Sequence, residues 1–483
     1  MPLRAWSPER LALLAIVALA ALLRFVQLGH DSLWVDEAFS ARIADTSFAS
    51  LFGEATSHDP NPPLYYVLLH GWIRMFGDSE VALRSLSAVV GVALVLVVFG
   101  LGRRLGGSRV GLTAALLAAV SEFLVHYSQE ARVYSLLALL ATASYFFFLA
   151  LPDEPRTGVI VGYVVSTTAL LYAHTYGLFV LAAQVAFVVV ALGARREWIR
   201  LDIRTLWLAI AAPILLTIPW FVVFAGHVHA EVEGSDEAKL GWLGAPSLHD
   251  LPGTFSGYAG SHWALAAVLV ALAACAYAAF RQGSVRSVAG ALFDDRRVVL
   301  LVLWVVVPIA VPFVISIAVT PIYQFKYTIP AAVACYLLLA LALDSLGAPW
   351  RAVAAVAVAV VFLSVTARYY GDFQTEDWRD ATGYVSRRAA PGDLVVFDSS
   401  VGKTAFDYYW RRADVEELVG SRFAGLEDVD LAAVRASAGR SGGIWLVISH
   451  SRDPEGRIAA LLGETHTFDA SADFLAIRVD HFR

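Results

Sequence analysis

Blocks of about twenty consecutive apolar residues recur along this chain, and no other feature limits its fold so tightly. A helix of about 20 residues crosses a hydrocarbon core of ~30 Å, and within that core every backbone polar group needs an internal partner. The chain has 483 residues, 58% of them hydrophobic, and a mean hydropathy of +0.64. The expected fold is a polytopic α-helical membrane protein. Eleven spans are expected, at roughly 10–28, 80–101, 110–127, 133–151, 158–173, 176–193, 205–225, 262–280, 298–319, 327–345 and 351–369. The first is read as a retained span rather than a cleaved signal peptide, because many similar segments follow it.

Charged loops orient the spans. Arg103, Arg104 and Arg109 share one loop, Arg195, Arg196, Arg200 and Arg204 a second, and Arg281, Arg286, Arg296 and Arg297 a third, all on the side of Arg4 and Arg10. The positive-inside rule then makes the N-terminus cytoplasmic, and an odd number of spans puts the C-terminus outside. The expected location is the plasma membrane and cell envelope. Net charge is −6, which sets nucleic acid aside as a partner. Cys275 and Cys335 both lie in apolar runs, so neither a disulfide nor a metal site is expected from them.

Three features fall on the outer face. The loop 29–79 carries adjacent carboxylates, Asp36 and Glu37, just beyond the first span. Ionisable groups at that depth are costly and tend to be kept for function. Its second half, Pro62 to Trp72, reads as a short interfacial helix in which Tyr65, Tyr66 and Trp72 act as anchors. The loop 226–261 holds His227, His229, Glu231, Glu233, Asp236 and Glu237 in a spacing that fits no strong metal pattern and reads as a polar loop. From about residue 372 hydrophobicity drops, and Leu394–Phe397, Ile444–Ile448 and Phe474–Val479 read as strands between helical stretches at 377–390 and 454–462. The expected division is a membrane part, 1–371, and a small extracytoplasmic α/β domain, 372–483, large enough for its own core.

Five patches on the outer face carry a resemblance. They are Leu33-Trp34-Val35-Asp36-Glu37-Ala38, His58-Asp59-Pro60-Asn61-Pro62-Pro63-Leu64-Tyr65-Tyr66, Tyr127-Ser128-Gln129-Glu130-Ala131-Arg132-Val133-Tyr134, Tyr172-Ala173-His174-Thr175-Tyr176 and Gln324-Phe325-Lys326-Tyr327. In that order they resemble the GT-C superfamily of membrane glycosyltransferases, in its protein-O-mannosyltransferase-like branch, to which the lipid A aminoarabinose transferase is related. The resemblance implies a sugar donor carried on a polyprenyl phosphate, lodged in a groove open to membrane lipid. It also implies inverting transfer of mannose or a related sugar to a hydroxyl of a protein, lipid or glycan acceptor outside the cytoplasm. The tail does not match the sugar-binding module of the eukaryotic relatives.

The resemblance further implies catalytic roles for Asp36 and Glu37. Asp36 becomes the general base, and Glu37 either orients the acceptor or holds a weakly bound divalent cation, no metal being obligatory. Arg132 and Lys326 are the candidates for the phosphate, with Tyr327, His58, His174, Glu130 and Tyr65 as further substrate-binding candidates. Lys326 stands where the family usually has arginine, and a lysine offers a point charge instead of a planar fork. Headgroup snorkelling is the alternative for both cations. Glu130 is expected to orient Arg132, and Glu80 with Arg84 to form an i, i+4 ion pair. Arg24, inside the first span, either pairs with an acid or snorkels. The rival from another class is a transporter or flippase of lipid-linked sugars, which predicts broken helices at the midplane and internal repeats; the sequence displays neither.

Overall fold

The computed structural model describes residues 7–58, 61–152, 156–193, 198, 203–234, 244–282, 294–372, 375–419, 431–451, 453 and 455–483, with the side chains of 54–58, 224 and 227–234 outside that description. The membrane part runs through α1 (Pro8–Phe25), α2 (Val35–Asp45), α3 (Phe48–His58), α4 (Leu64–Phe76), α5 (Glu80–Val120), α6 (Glu122–His126), α7 (Tyr134–Ala150), α8 (Thr157–Ala173) and α9 (Gly177–Gly193). It continues through α10 (Ile203–Gly234), α11 (Asp250–Ala259), α12 (His262–Gln282), α13 (Arg296–Ala318), a 3-10 turn (Phe325–Thr328), α14 (Ile329–Asp344) and α15 (Trp350–Asp372). Among the described residues six helical segments are long and apolar enough to cross a membrane: α5, 204–223 of α10, 262–281 of α12, α13, 325–344 and α15. Three further apolar helices, α7, α8 and α9, are shorter.

α5 is two helices in sequence. As a straight rod its 41 residues would reach about 60 Å, twice the hydrocarbon thickness. Gly106 (φ −148°) and Gly107 (φ +81°) leave helical geometry, and the second arm folds back on the first. A Cβ placed on Gly111 would lie 2.7 Å from the Phe99 carbonyl oxygen, although residues twelve apart in one helix are separated by about 18 Å. Glycine at 107 supplies the left-handed turn, and glycines at 102 and 111 let the backbones touch.

Arg24 shows how neighbouring helix ends are completed. It is fully buried and neither pairs with an acid nor snorkels. Its guanidinium donates to the carbonyls of Ala118 at 3.1 Å and Ala119 at 3.2 Å, and to the Ser128 hydroxyl at 3.2 Å. The last carbonyls of a helix have no partner of their own, and a cation complements the negative end of the dipole. Gln129 does the same for α1, donating to Val26 O at 2.8 Å.

The outer segment after α1 folds as three short helices, α2 to α4. Tyr65 and Tyr66 are buried in the packing of α4, so they are not interface anchors as the sequence suggests. Amphipathicity alone does not say whether an apolar face meets lipid or protein.

Beyond α15 come α16 (Trp378–Arg388), β1 (Leu394–Phe397), α17 (Ser400–Tyr409), β2 (Glu416–Val419), α18 (Leu431–Ala438), β3 (Ile444–Ile448), α19 (Arg457–Gly463), β4 (Phe468–Phe474) and β5 (Ile477–Phe482). The sheet order is β2-β1-β3-β5-β4, with β2, β1 and β3 parallel and β5 antiparallel to β3. The run expected as one strand at 474–479 is the apex of a hairpin: Ala476 sits at φ +63° and reverses the chain between β4 and β5. Alternate residues of the strands feed two apolar layers, Val395, Phe397, Trp445 and Val447 on one face and Leu394, Val396, Ile444 and Leu446 on the other. Ala38 of α2 is buried in the first layer and Val35 packs against it. The sheet unit is therefore seated on α2. Arg379 bonds Glu80 at 3.1 Å, and the Tyr409 hydroxyl accepts from Leu33 N at 2.7 Å, which fixes the same contact.

The close crossing of the α5 arms makes a test. Gly111→Ala forces backbone apart and is expected to destabilise the protein by about 1–3 kcal/mol. Gly158→Ala, where an added Cβ meets nothing within 4 Å, should be neutral or slightly stabilising. Thermal unfolding of the two purified variants distinguishes them.

Candidate active site

The first turn of α2 places the two carboxylates. Acids are favoured there by the helix dipole, and consecutive helical positions point about 100° apart, so Asp36 and Glu37 diverge. Glu37 faces inward and is fully buried. Its oxygens take a bidentate pair from Arg84, Nε to Oε1 at 2.8 Å and Nη2 to Oε2 at 2.6 Å. Oε1 also accepts from Ala131 N at 2.8 Å, and Oε2 from Trp34 N at 3.4 Å. Arg84 spends its remaining donors on the carbonyls of Leu28, Asp31 and Ser32 at 3.1, 2.8 and 2.9 Å. All five N–H groups of the guanidinium are thus satisfied. The expected Glu80–Arg84 helical pair does not form: Glu80 instead binds Arg379 and the Tyr409 hydroxyl. The fully buried Glu37 carboxylate needs a bonded partner more than Glu80, whose side chain keeps 16% exposure.

Asp36 faces the open side, with 36% of its side chain exposed. Arg132 lies beside it, Nη2 to Oδ2 at 3.8 Å, with Nη1 donating to the Ser40 hydroxyl at 3.1 Å and to Asp36 O at 3.3 Å. Lys326 enters from the 3-10 turn. Its ammonium lies 5.5 Å from the ring centres of Trp34 and Tyr134 and 5.8 Å from that of Tyr327, within cation–π range of three rings. Tyr134 is acted on by both Arg132 and Asp36, so the two cations and the exposed acid share one neighbourhood.

His174 lies behind Tyr327, 4.9 Å between ring centres. Its Nδ1 accepts from Tyr176 N at 3.0 Å, which leaves the hydrogen on Nε2, an atom that is buried without a hydrogen-bond partner among the described residues. Burial first, and then the charges of Arg132 and Lys326, push the His174 pKa down to about 3, so the ring is neutral at any ordinary pH. Glu130 pairs with His126 at 3.2 Å, across the turn that follows α6, and feels the charge of Arg132. Burial would raise the Glu130 carboxyl, but the His126 bond and the charges of His126, Lys326 and Arg132 hold it below its usual range.

Tyr65 reaches the site only indirectly: its hydroxyl meets Ser87 Oγ at 3.1 Å, and Ser87 donates to Arg132 O at 3.1 Å. His58 ends α3 with its side chain outside the description, as are the side chains of the acids and histidines at 227–237; the part of that expected loop up to Gly234 continues helix α10 instead. Among the described residues no group of three His, Cys, Asp or Glu side chains is placed to hold a metal. A cation held by Asp36 and Glu37 together does not fit this arrangement, since Glu37 is committed to Arg84 and Arg132 flanks Asp36. A cavity of about 570 Å³ adjoins the 3-10 turn, lined by Asp250, Thr254, His262, Tyr323, Gln324 and Phe325 among others.

The architecture is a bundle of apolar helices with an exposed acid and two cations gathered under a small α/β unit. The family model for dolichyl-phosphate-mannose-protein mannosyltransferase matches residues 60–222, about a third of the chain. No curated protein matches the chain. Among solved structures, ArnT from Cupriavidus metallidurans in the apo state superposes with a TM-score of 0.66 at 16% identity, over 98% of this chain and 98% of that one. The same protein bound to undecaprenyl phosphate gives 0.60 at 15% identity, over 97% of each. The Archaeoglobus fulgidus oligosaccharyltransferase in complex with Zn and sulfate gives 0.58 at 14% identity, over 96% of this chain and 72% of that one. The chain shares the fold of ArnT, and the likeness covers both chains from end to end.

The Glu37–Arg84 pair predicts a stability signature. Glu37→Gln or Arg84→Met leaves an uncompensated buried charge and should cost about 3–5 kcal/mol. The double variant should lose less than the sum of the two, as read by thermal unfolding of the purified proteins.

Proposed function

We propose that this protein is an inverting glycosyltransferase that moves a sugar, mannose or a related one, from a polyprenyl-phosphate donor to an acceptor hydroxyl on the extracytoplasmic face. The observation that carries this reading is an exposed Asp36 beside Arg132, with Lys326 against the Tyr134 ring of the same neighbourhood, at one end of an apolar bundle. The proposed layout has eleven spans, the arms of α5 counting as two, with residues 1–371 as the membrane part and 372–483 as an extracytoplasmic domain. The N-terminus is cytoplasmic. The seating of the sheet unit on α2 supports a common side for the tail and Asp36.

In this mechanism Asp36 accepts the proton of the acceptor hydroxyl as its oxygen bonds to the anomeric carbon. The bond from that carbon to the phosphate oxygen breaks, and its electron pair stays with the polyprenyl phosphate. The phosphate goes from a diester to a monoester and gains negative charge. Arg132 and Lys326, already in place, stabilise that growing charge without reorganisation. The Nε2–H of His174, held neutral, is a further donor for a donor-sugar or phosphate oxygen, and Tyr327 and Tyr134 wall the site. Glu37 does not react; it positions the helix that carries Asp36.

Radiolabelled transfer from polyprenyl-phosphate sugars by the purified protein is the test. Asp36→Asn nearly preserves shape and should lower transfer by at least about 10²-fold. Lys326→Ala and Arg132→Ala should each lower kcat by about 10²–10³-fold. Equal transfer by wild type and Asp36→Asn would remove Asp36 from the chemistry.

A further inference from the structure

The C-terminal sheet holds a cluster that the transfer chemistry leaves unused. β1 lies between β2 and β3, all three parallel, so the strand order reverses between β1 and β3. The carboxyl ends at such a reversal are where open parallel sheets place their working residues. Here those ends are Asp398-Ser399 and Ser449-His450. Asp398, Ser399 and Ser449 are buried. Asp398 Oδ1 accepts from Ser449 N at 3.1 Å, and its buried Oδ2 has no hydrogen-bond partner among the described residues.

His450 is held in a left-handed conformation, φ +51°, which side chains adopt only when the surroundings over-determine it. Its ring is fixed at both nitrogens. Nδ1 meets Ser449 Oγ at 2.9 Å and Nε2 meets Glu376 Oε1 at 3.1 Å. Even so, 43% of the side chain remains exposed. Glu376 belongs to a strap, residues 375–378, that grips the chain just before α2. The Thr375 hydroxyl donates to Ser32 O at 2.8 Å, the Ser32 hydroxyl donates to Glu376 O at 2.5 Å, and Trp378 N donates to that hydroxyl at 3.1 Å. Ser32 stands four residues before Asp36, in the non-helical segment ahead of α2. The charged groups acting on the ring are Glu376, Asp36 and Asp398; the Glu376 bond, working against partial burial, holds its pKa above the usual histidine value.

We propose that His450 is a positioning residue of the transfer site: bonded to Glu376, it braces the strap against Ser32 and supplies positive charge within electrostatic range of Asp36. The C-terminal unit is then a working half of the site. This inference rests on Asp36 as the base, but its first test does not need transfer to occur. In full-length protein labelled at histidine, the His450 NMR signal is assigned by its loss in His450→Asn, a residue that tolerates the left-handed conformation. Removing the carboxylate in Asp36→Asn should move the His450 titration midpoint down by about half a pH unit, and Glu376→Gln should move it further. An unmoved midpoint in Asp36→Asn overturns the proposal whether or not any donor is turned over, whereas a shifted midpoint without transfer counts against the glycosyltransferase reading alone.

The second test is kinetic. His450→Asn should lower kcat about tenfold with the donor KM unchanged, and His450→Arg should restore most of the loss by restoring the cation. Glu376→Gln brings deprotonation of His450 to lower pH, so its activity should fall as pH rises through a range where the wild type holds. Equal losses in the Asn and Arg variants with an unchanged pH profile would reduce His450 to packing and overturn the proposal.

Discussion

The bidentate pair between Glu37 and Arg84 organises everything around it. Desolvating two charges is expensive, and the attraction between them repays it only when geometry is good and every remaining donor and acceptor is bonded. Both conditions hold, with separations of 2.8 and 2.6 Å and three backbone carbonyls on the guanidinium. Such a pair adds little net stability over an apolar replacement, and we assign it to register. It ties the end of α1, the first turn of α2, the outer end of α5 and the backbone at Ala131 to one point. Because Glu37 is drawn inward, Asp36 must face outward. Because Ala131 is pinned, the next residue, Arg132, reaches Asp36.

The apolar helices were readable from the sequence because span length is set by the bilayer, and the separate stretches expected at 80–101 and 110–127 are the two arms of α5. The five outer patches named Asp36, Arg132, His174, Lys326 and Tyr327, and the fold brings those side chains into one neighbourhood. Pairings were less readable. Glu80 with Arg84 and Glu130 with Arg132 are the nearest opposite charges along the chain, yet burial decides otherwise. Glu37 needs a partner more than Glu80 does, and the turn after α6 brings Glu130 back to His126 at 3.2 Å. The hairpin apex at Ala476 was hidden because alanine carries no preference for the left-handed conformation that tertiary pairing imposes. His450 lay far from every patch in sequence, and only the parallel sheet places it near α2.

The C-terminal unit and the membrane part are joined through the segment that presents the acid. Ala38 and Val35 share an apolar layer with Phe397, Trp445 and Val447, while Ser32 is gripped by residues 375–378. These contacts tie the sheet unit to the segment that carries Asp36. That coupling gives the α/β unit a physical reason to be present at the site, independent of which acceptor is used.

The most direct measurement is a cryo-EM structure of the protein in lipid nanodiscs with a polyprenyl phosphate bound. The account predicts phosphate density within hydrogen-bond reach of Arg132 and Lys326, on the side of Asp36, with the prenyl chain leaving between the apolar helices. Phosphate seated instead in the cavity of about 570 Å³ lined by Asp250, Thr254 and His262, with Arg132 and Lys326 untouched, would contradict it.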